Sequence, residues 1–363
     1  YGDIRILKKC YDMMKKWVEY QSSTDRRNYG VRTVDGKEVP EQSDLATIPY
    51  IQVQQCRGDH LTYDNSTPYI YSATAYAAHS ADILRRTAYI LGKTDDEKRY
   101  TELFENIKRA FNDAWVNDDG SVSYYGEVSS HTAHCGESVA LDGSVTRYTY
   151  YAENTPHCPS QTAYALAVDF DLIPKDKLKN TREYFKNSIL RNNGKLTVGF
   201  LGISHLAPAL SKVGLDDVAF KLLEQEDNPS WLYSVKNGAT TIWERWNSYI
   251  AETGTFGDVS MNSFNHYSYG AIGQWFFTDI LGIRPVEFGY KSFMLAPKFG
   301  GGLTYAKGSF TSPYGKISSA WKLHYGKFTY DCTIPTNTTA TLKLPNGDIH
   351  TLVDGSYHFE INV

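Results

Sequence analysis

Glu244 stands between two tryptophans in the segment Ala239-Thr-Thr-Ile-Trp-Glu-Arg-Trp246. The apolar face of a sugar ring packs well on an aromatic ring, and a partly desolvated carboxyl group holds its proton more tightly than one in water. Such a carboxyl group is suited to general acid–base chemistry on a sugar. In the alternative interpretation, Glu244 pairs with Arg245 or with solvent at the end of a helix, and both indoles fill a core.

The charge balance of the chain excludes two classes of partner. Its 363 residues include 37 basic and 41 acidic side chains, for a net charge of −4. A nucleic-acid binder or an anionic-membrane binder normally carries a basic patch, so we expect neither kind of partner. The sequence also has no apolar run of about 18 residues that could span a membrane. The 28 tyrosines and 7 tryptophans instead favour a surface that faces carbohydrate.

Cysteine and histidine spacing predicts no metal site and no cofactor. The five cysteines form no C-x-x-C pair, and His131, His134 and His157 match no standard zinc spacing, which favours a polar surface loop. Cys135 and Cys158 could form a disulfide in an oxidising compartment or remain free thiols. No signal-peptide pattern is present, so cytoplasmic, periplasmic and secreted locations all stay open.

Helical periodicity dominates up to about residue 282. It predicts helices over residues 1–21, 69–91, 95–116, 161–170, 176–191, 205–213, 215–225, 230–236 and 266–281. Gly92 followed by Asp95 is typical of a helix end and a new helix start, which indicates a helical hairpin. No fixed sequence period is visible, so the pattern favours hairpins closed into a toroid over an open repeat array.

From about residue 285 the pattern becomes that of strands. Short alternating segments separated by glycine or proline predict strands over residues 293–297, 303–312, 315–324, 327–334, 339–344, 351–352 and 359–363. Such spacing predicts an antiparallel β-sandwich. We therefore predict a helical domain over residues 1–284 and a β-sandwich domain over residues 285–363.

Several segments, taken in order, resemble a known enzyme family. They include Arg57-Gly-Asp-His60, Gln161-Thr-Ala163, Leu196-Thr-Val-Gly-Phe-Leu-Gly202, Trp243-Glu-Arg-Trp246 and Asn265-His-Tyr267. In order and spacing the chain is similar to the inverting α-L-rhamnosidases of glycoside hydrolase family 78. The resemblance implies an (α/α)6 barrel followed by a β-sandwich. It also implies hydrolysis of terminal α-L-rhamnose from oligosaccharides, polysaccharides or plant glycosides.

The resemblance assigns roles to three residues and shows a departure at a fourth. Glu244 matches the family's general base, which takes a proton from the water that attacks C1. His266 matches a histidine that contacts the sugar, and Asp59 matches an aspartate near the pocket. His60 replaces the tryptophan that follows this aspartate in the family, which changes a predicted stacking platform. Of the two indoles beside Glu244, we predict that Trp243 lines the sugar pocket.

The family's general acid has no counterpart in this chain. It lies in a segment of the type Asp-x-x-x-x-Asp-Glu-x-x-x-Trp, which precedes the position that Tyr1 matches. The resemblance thus implies that the chain lacks an N-terminal part of the barrel and that the acid lies upstream. Glu127, Glu137, Asp142 and Asp258 are alternative acids in predicted polar loops. None of the four has a matching aromatic or hydroxyl setting.

Two other functions remain compatible with these residues. The chain could be a non-catalytic carbohydrate-binding protein on the same scaffold, an alternative that the missing acid and His60 both favour. It could also be an (α/α)6 glycosidase of another sugar specificity, in which the fold and the base are retained.

Overall fold

The computed structural model describes residues 2–23, 49–52, 58–63, 67–123 and 159–363, with the backbone alone of residues 31–34, 37–40, 136–139 and 145–148. Its contacts divide the chain into two compact units. The helical unit comprises Tyr11–Asn193 and Thr197–Gly202. The mixed unit comprises Tyr1–Cys10, Gly194–Leu196 and Ile203–Val363. The predicted domain boundary between residues 284 and 285 stays a prediction.

Helices occupy most of the described chain before residue 276. They are α1 (Ile4–Ser22), α2 (Tyr69–Ile90), α3 (Thr94–Trp115), α4 (Gln161–Asp169), α5 (Leu178–Leu190), α6 (Phe200–Lys212), α7 (Asp216–Leu223), α8 (Trp231–Lys236) and α9 (Ile272–Trp275). Most begin and end within three residues of the prediction. The exceptions are α6, which starts five residues before the predicted 205, and α9, which covers only the middle of the predicted helix over residues 266–281. None of the described helices is both long and apolar enough to cross a membrane.

The predicted hairpin of α2 and α3 is confirmed. Gly92 turns the chain with a φ of +68°, and Asp95 begins an acidic first turn of α3 that suits the positive end of a helix dipole. One face of α3 is buried as the 3.6-residue period predicts, including Tyr100, Phe104 and Phe111. Tyr71 of α2 packs against Phe111, with ring centroids 4.8 Å apart. Aromatic packing therefore joins the two helices inside the helical unit.

The predicted helix over residues 266–281 is interrupted. A 3₁₀ turn at Ser268–Ala271 leads into α9, and a π-helical turn follows at Phe276–Ile280. Gly270 and Gly273 weaken a regular helix because glycine has a large conformational freedom to lose. Trp275 is fully buried, and its Nε1 donates to Ser211 Oγ at 2.8 Å. Burial and hydrogen bonding of the Trp275 indole therefore accompany the loss of a regular helix in this segment.

The strands cluster after residue 282, as predicted. The described strands are β1 (Val31–Val34), β2 (Lys37–Pro40), β3 (Gly136–Val139), β4 (Val145–Tyr148), β5 (Tyr249–Ile250), β6 (Thr255–Phe256), β7 (Ile283–Pro285), β8 (Ser292–Leu295), β9 (Tyr305–Ser312), β10 (Gly315–His324), β11 (Lys327–Ile334), β12 (Thr339–Lys343), β13 (Ile349–Leu352) and β14 (Gly355–Asn362). The predicted bounds of β10 and β11 agree with the structure to the residue, whereas the strands from β1 to β7 were not predicted.

Two four-stranded sheets form the sandwich within the mixed unit. Their strand orders are β14-β11-β10-β9 and β13-β12-β8-β7. The prediction of a wholly antiparallel sandwich is wrong at one pair, because β8 and β12 run parallel. These strands are joined by a long connection through β9–β11 in the other sheet, and not by a tight hairpin. Alternation of apolar and polar residues shows which side chains of a strand face inward. It does not show whether neighbouring strands run parallel or antiparallel.

The sandwich core is tied to the end of the π-helical turn by two hydrogen bonds from buried side chains, one of which a third bond supports. Trp321 Nε1 donates to Ile280 O at 2.9 Å, and Ser319 Oγ donates to Leu281 O at 2.7 Å. Tyr330 Oη donates to Ser319 Oγ at 3.1 Å and is itself fully buried. Orphan carbonyl groups at the end of the helical segment are thereby satisfied by side chains of β10.

Gly282, at this junction, provides a test of close backbone packing. Its φ is +72°, and an added Cβ would overlap the backbone of Ala296. Gly214 has a similar φ of +76° with nothing within 4 Å. Gly214→Ala should cost only the left-handed strain, about 1–2 kcal/mol. Gly282→Ala should lower the free energy of unfolding by about 1–3 kcal/mol more than Gly214→Ala does, because of the overlap. Equal shifts in thermal unfolding midpoint would contradict this packing.

Candidate functional site

Two extended segments of the mixed unit, 241–248 and 257–266, are hydrogen-bonded to each other and carry the central candidate residues. Glu244 N donates to Ser263 O at 2.9 Å, and His266 N donates to Ile242 O at 2.8 Å. Thr241 Oγ1 donates to Phe264 O as well. This pairing brings Glu244, Trp243 and His266 together. Asp59 and His60 belong to the helical unit.

The carboxylate of Glu244 is held on one oxygen. Ser263 N donates to Oε2 at 2.7 Å, and the residue is only 9% exposed. Among the residues that the structure describes, no hydrogen bond or ion pair reaches Oε1. A bond from a backbone N–H fixes the direction of a carboxylate. The arrangement leaves one oxygen free to accept a proton.

Three aromatic rings contact the two indoles beside Glu244. Trp246 stacks on Tyr269 with centroids 3.8 Å apart, and Trp231 meets it edge to face at 5.4 Å. Trp243 contacts Phe264 edge to face at 5.2 Å. The stack around Trp246 is typical of core packing.

Trp243 lies between two cavities. One, of about 280 Å³, is lined by Trp243 and Trp246 with the hydroxyls of Ser234, Thr240 and Thr241. The other, of about 450 Å³, is lined by Trp243, Tyr249 and Phe264 among others and shares both threonines. Glu244 lines neither cavity. Aromatic walls with a few hydroxyls suit a polyhydroxylated ring, so this placement supports the predicted pocket role of Trp243.

His266 starts the turn that leads to α9. Its Nδ1 accepts from Ser268 N at 3.3 Å, and its ring stacks on Tyr267 with centroids 5.1 Å apart. The side chain is partly exposed. Accepting this bond fixes the ring orientation, since the Nδ1 lone pair is aimed at the turn.

Asp59 is buried at the N-terminus of α6. Its Oδ1 accepts from Leu201 N at 2.9 Å and from Gly202 N at 3.0 Å. Its Oδ2 accepts from Gly199 N at 2.8 Å and from the Thr162 hydroxyl. These four bonds use the four acceptor sites of a carboxylate and satisfy orphan N–H groups of the helix. Burial raises the pKa of Asp59, and the bonds from Thr162 and the three N–H groups oppose that rise.

This environment favours a structural role for Asp59, and its predicted contact with a sugar stays a prediction. The same bonds hold His60 in place. Phe200 N donates to His60 O at 2.9 Å, and the imidazole meets the Phe200 ring edge to face at 5.5 Å. Gly199 is required here because a Cβ would overlap the His60 carbonyl oxygen.

Sequence reasoning missed the groups that hold the two carboxylates. Ser263, Thr162 and Gly199 act through hydrogen bonds that carry no distinct sequence signal. Thr162 and Gly199 do lie in segments that carry the family resemblance. Membership in those segments is a sequence signal that could have pointed to them as partners of Asp59. Such bonds join residues far apart in the chain, so only the folded backbone identifies them.

Asp258, one of the alternative acids, forms an ion pair with Arg245 at 2.8 Å. Bonds from the Ser260 hydroxyl and N–H, together with the charge of Arg245, hold the pKa of Asp258 below its usual value. A general acid must carry a proton at working pH, so this environment disfavours Asp258. Glu127 and Asp142 lie outside the described residues, and only the backbone of Glu137 is described.

Within the described ranges of the chain, no group of three His, Cys, Asp or Glu side chains could hold a metal ion. His131, His134 and His157, with Cys135 and Cys158, lie outside the described residues.

Two family models match the chain. The model of the bacterial α-L-rhamnosidase six-hairpin glycosidase domain matches residues 1–280. The model of the bacterial α-L-rhamnosidase C-terminal domain matches residues 282–359. Together they confirm the predicted fold class, a helical six-hairpin domain followed by a β domain.

Curated relatives agree with the models. An α-L-rhamnosidase of Formosa agariphila is 33% identical over 353 residues, which are 97% of this chain and 33% of the relative. An α-L-rhamnosidase of Streptomyces avermitilis is 34% identical over 346 residues, which are 95% of this chain and 28% of the relative. The chain therefore spans about a third of the length of the curated relatives that it matches.

Solved structures show the same similarity. The crystal structure of Streptomyces avermitilis α-L-rhamnosidase complexed with L-rhamnose matches with a TM-score of 0.80 and a sequence identity of 31%. The match covers 100% of this chain and 31% of that chain. Native α-L-rhamnosidase from Aspergillus terreus matches with a TM-score of 0.76 and 28% identity, over 99% and 37% of the two chains.

The structural role of Asp59 can be measured as stability. Asp59→Ala leaves three backbone N–H groups without their acceptor, so we expect a loss of about 3 kcal/mol or more in the free energy of unfolding. Asp59→Asn should lose less because one oxygen remains. The control is Asp95→Ala in the exposed first turn of α3, which should cost at most about 1 kcal/mol. Denaturant unfolding checks this, and similar losses for Asp59→Ala and Asp95→Ala would contradict it.

Proposed function

The chain belongs to the bacterial α-L-rhamnosidase six-hairpin glycosidase family, and on that premise we propose that it supplies the general base and part of the sugar site of an inverting α-L-rhamnosidase. The substrates of the whole protein are terminal α-L-rhamnosides of oligosaccharides, polysaccharides or plant glycosides. No residue of this chain is assigned as the general acid.

The observation that carries this proposal is the asymmetric setting of Glu244. Ser263 N–H holds Oε2, while Oε1 accepts no bond from the described residues. In the proposed reaction a water oxygen forms a bond to C1 as the bond from C1 to the leaving oxygen breaks. Glu244 Oε1 takes a proton from that water, and a second carboxyl group protonates the leaving oxygen. Inversion requires the two carboxyl groups to lie roughly 6.5–9.5 Å apart, which leaves room for the water.

Trp243 and His266 are the proposed sugar contacts beside the base. Both lie on the paired segments that carry Glu244, so their positions relative to the carboxylate are set by the same backbone bonds. Trp243 offers an apolar wall, and His266 offers a partly exposed imidazole ring. His60 belongs to the helical unit, and its predicted contact with the sugar stays a prediction.

Replacement of the base provides the main test. Glu244→Gln keeps the acceptor for Ser263 N–H but cannot take a proton, so kcat on an aryl α-L-rhamnoside should fall about 10³-fold or more. The matched control is Glu226→Gln, in an exposed pair with Lys236, which should leave kcat unchanged. The assay uses the whole protein. Near-normal turnover by Glu244→Gln would refute the assignment.

Stereochemistry and binding separate the alternative functions. Proton NMR of the first product should show β-L-rhamnose, because water attacks the face opposite the leaving group. Retention of the α anomer would refute a general base at Glu244. Calorimetric binding of rhamnosides without turnover by the whole protein would instead support a non-catalytic carbohydrate-binding function. Turnover of other aryl glycosides, but not of the rhamnoside, would indicate a different sugar specificity.

Substitutions of His60 test its predicted contact with the sugar. An indole offers a larger apolar face than an imidazole, and an aromatic contact is worth roughly 0.5–1.5 kcal/mol. His60→Trp should therefore lower KM for the rhamnoside about 2–10-fold, and His60→Ala should raise it. Unchanged KM in both variants would exclude His60 from the sugar site.

A further inference from the structure

Arg245 follows the base in the chain but directs its side chain to a different partner. Its Nε donates to Met261 O at 2.8 Å, and its Nη2 donates to Asp258 Oδ2 at 2.8 Å. Its side chain is 19% exposed, so the guanidinium is largely withdrawn from solvent. No hydrogen bond from this guanidinium to Glu244 occurs among the described residues. The Arg245 side chain therefore binds the loop that contains Asp258 and Met261, and not the carboxylate of Glu244.

The loop over residues 258–263, which we call the Ser263 loop, is shaped by the same ion pair. Asp258 Oδ1 accepts from Ser260 N at 2.8 Å and from Ser260 Oγ at 2.7 Å, which closes a turn. Arg245 binds the other carboxylate oxygen and the carbonyl at Met261. One guanidinium thus fixes the loop at two positions three residues apart.

The far end of the Ser263 loop is the part that contacts the base. Asn262 Nδ2 donates to Ser248 O at 2.8 Å, and Ser263 N donates to Glu244 Oε2 at 2.7 Å. The loop has little other regular structure, since residues 257–267 contain no helix and no strand. The register of segments 241–248 and 257–266 depends on these bonds and on three backbone bonds, from Glu244 N to Ser263 O, from His266 N to Ile242 O and from Gly257 N to Ser248 O.

We propose that Arg245 is a positioning residue for the general base: it holds the Ser263 loop so that the Ser263 N–H orients the Glu244 carboxylate. This inference rests on the proposed function, because it takes Glu244 as the base. Lysine cannot replace arginine here, since a single ammonium group lacks the planar fork that meets both acceptors in fixed directions. A displacement of about 1 Å in a reacting group can cost about 100-fold in rate.

The kinetic test compares Arg245→Lys and Asp258→Asn in the whole protein. Each should lower kcat on an aryl α-L-rhamnoside about 10–100-fold, with KM within about threefold of wild type, because the sugar contacts are unaffected. Arg86→Lys is the matched control: it changes an arginine that pairs with Asp82 on α2. It should leave kcat unchanged. An unchanged kcat for Arg245→Lys would overturn the inference.

A double-mutant cycle shows whether Arg245 acts through Glu244. In the Glu244→Gln background, Arg245→Lys should lower the residual rate by less than about twofold, since the group that it orients no longer takes a proton. A full 10–100-fold loss in that background would show that Arg245 acts independently of the base and would overturn the inference.

Amide hydrogen exchange tests the geometry without turnover. Protection of the Ser263 amide should fall at least about tenfold in Arg245→Lys and stay unchanged in Arg86→Lys. Unchanged protection in Arg245→Lys would overturn the inference whatever the kinetics. If the wild-type protein hydrolyses no rhamnoside, the proposed function fails, and the exchange measurement still decides whether Arg245 holds Ser263.

Discussion

The pairing of segments 241–248 and 257–266 is the constraint on which the candidate site depends. Backbone bonds from Glu244 to Ser263 and from His266 to Ile242 set the register of two segments that are otherwise mostly irregular. A slip of one residue would separate the Glu244 carboxylate from the Ser263 N–H that donates to it. Glu244, Trp243 and His266 therefore form one site only while this register holds.

Two carboxylates in this chain meet backbone N–H groups with different consequences. Asp59 accepts three such bonds and a hydroxyl, so all its acceptor sites are used and it secures the start of α6. Glu244 accepts one, which directs the carboxylate and leaves an oxygen for chemistry. The number of donors, and not burial alone, thus separates a structural carboxylate from a candidate base, since both residues are buried.

Local patterns were sufficient for most helices and strands. The α2–α3 hairpin follows from an apolar stripe and Gly92, and β10 and β11 follow from alternation between glycines. Prediction was wrong where non-local contacts decided the outcome. The interrupted helix before Leu281 places Trp275 against Ser211, and the parallel pair of β8 and β12 reflects a connection through the other sheet. Neither effect is visible in a window of a dozen residues.

The sequence by itself determined the family, the fold class and the residue types of the site, because the order of motifs such as Trp243-Glu-Arg-Trp246 and the periodicity of apolar residues are written along the chain. Only the tertiary structure decided which partners these residues have. It pairs Arg245 with Asp258, places Ser263 N–H on Glu244 and surrounds Asp59 with donors from α6. Hydrogen-bond partners are fixed by distance and direction in space, and residues 13 to 143 positions apart acquire both only when the chain has folded.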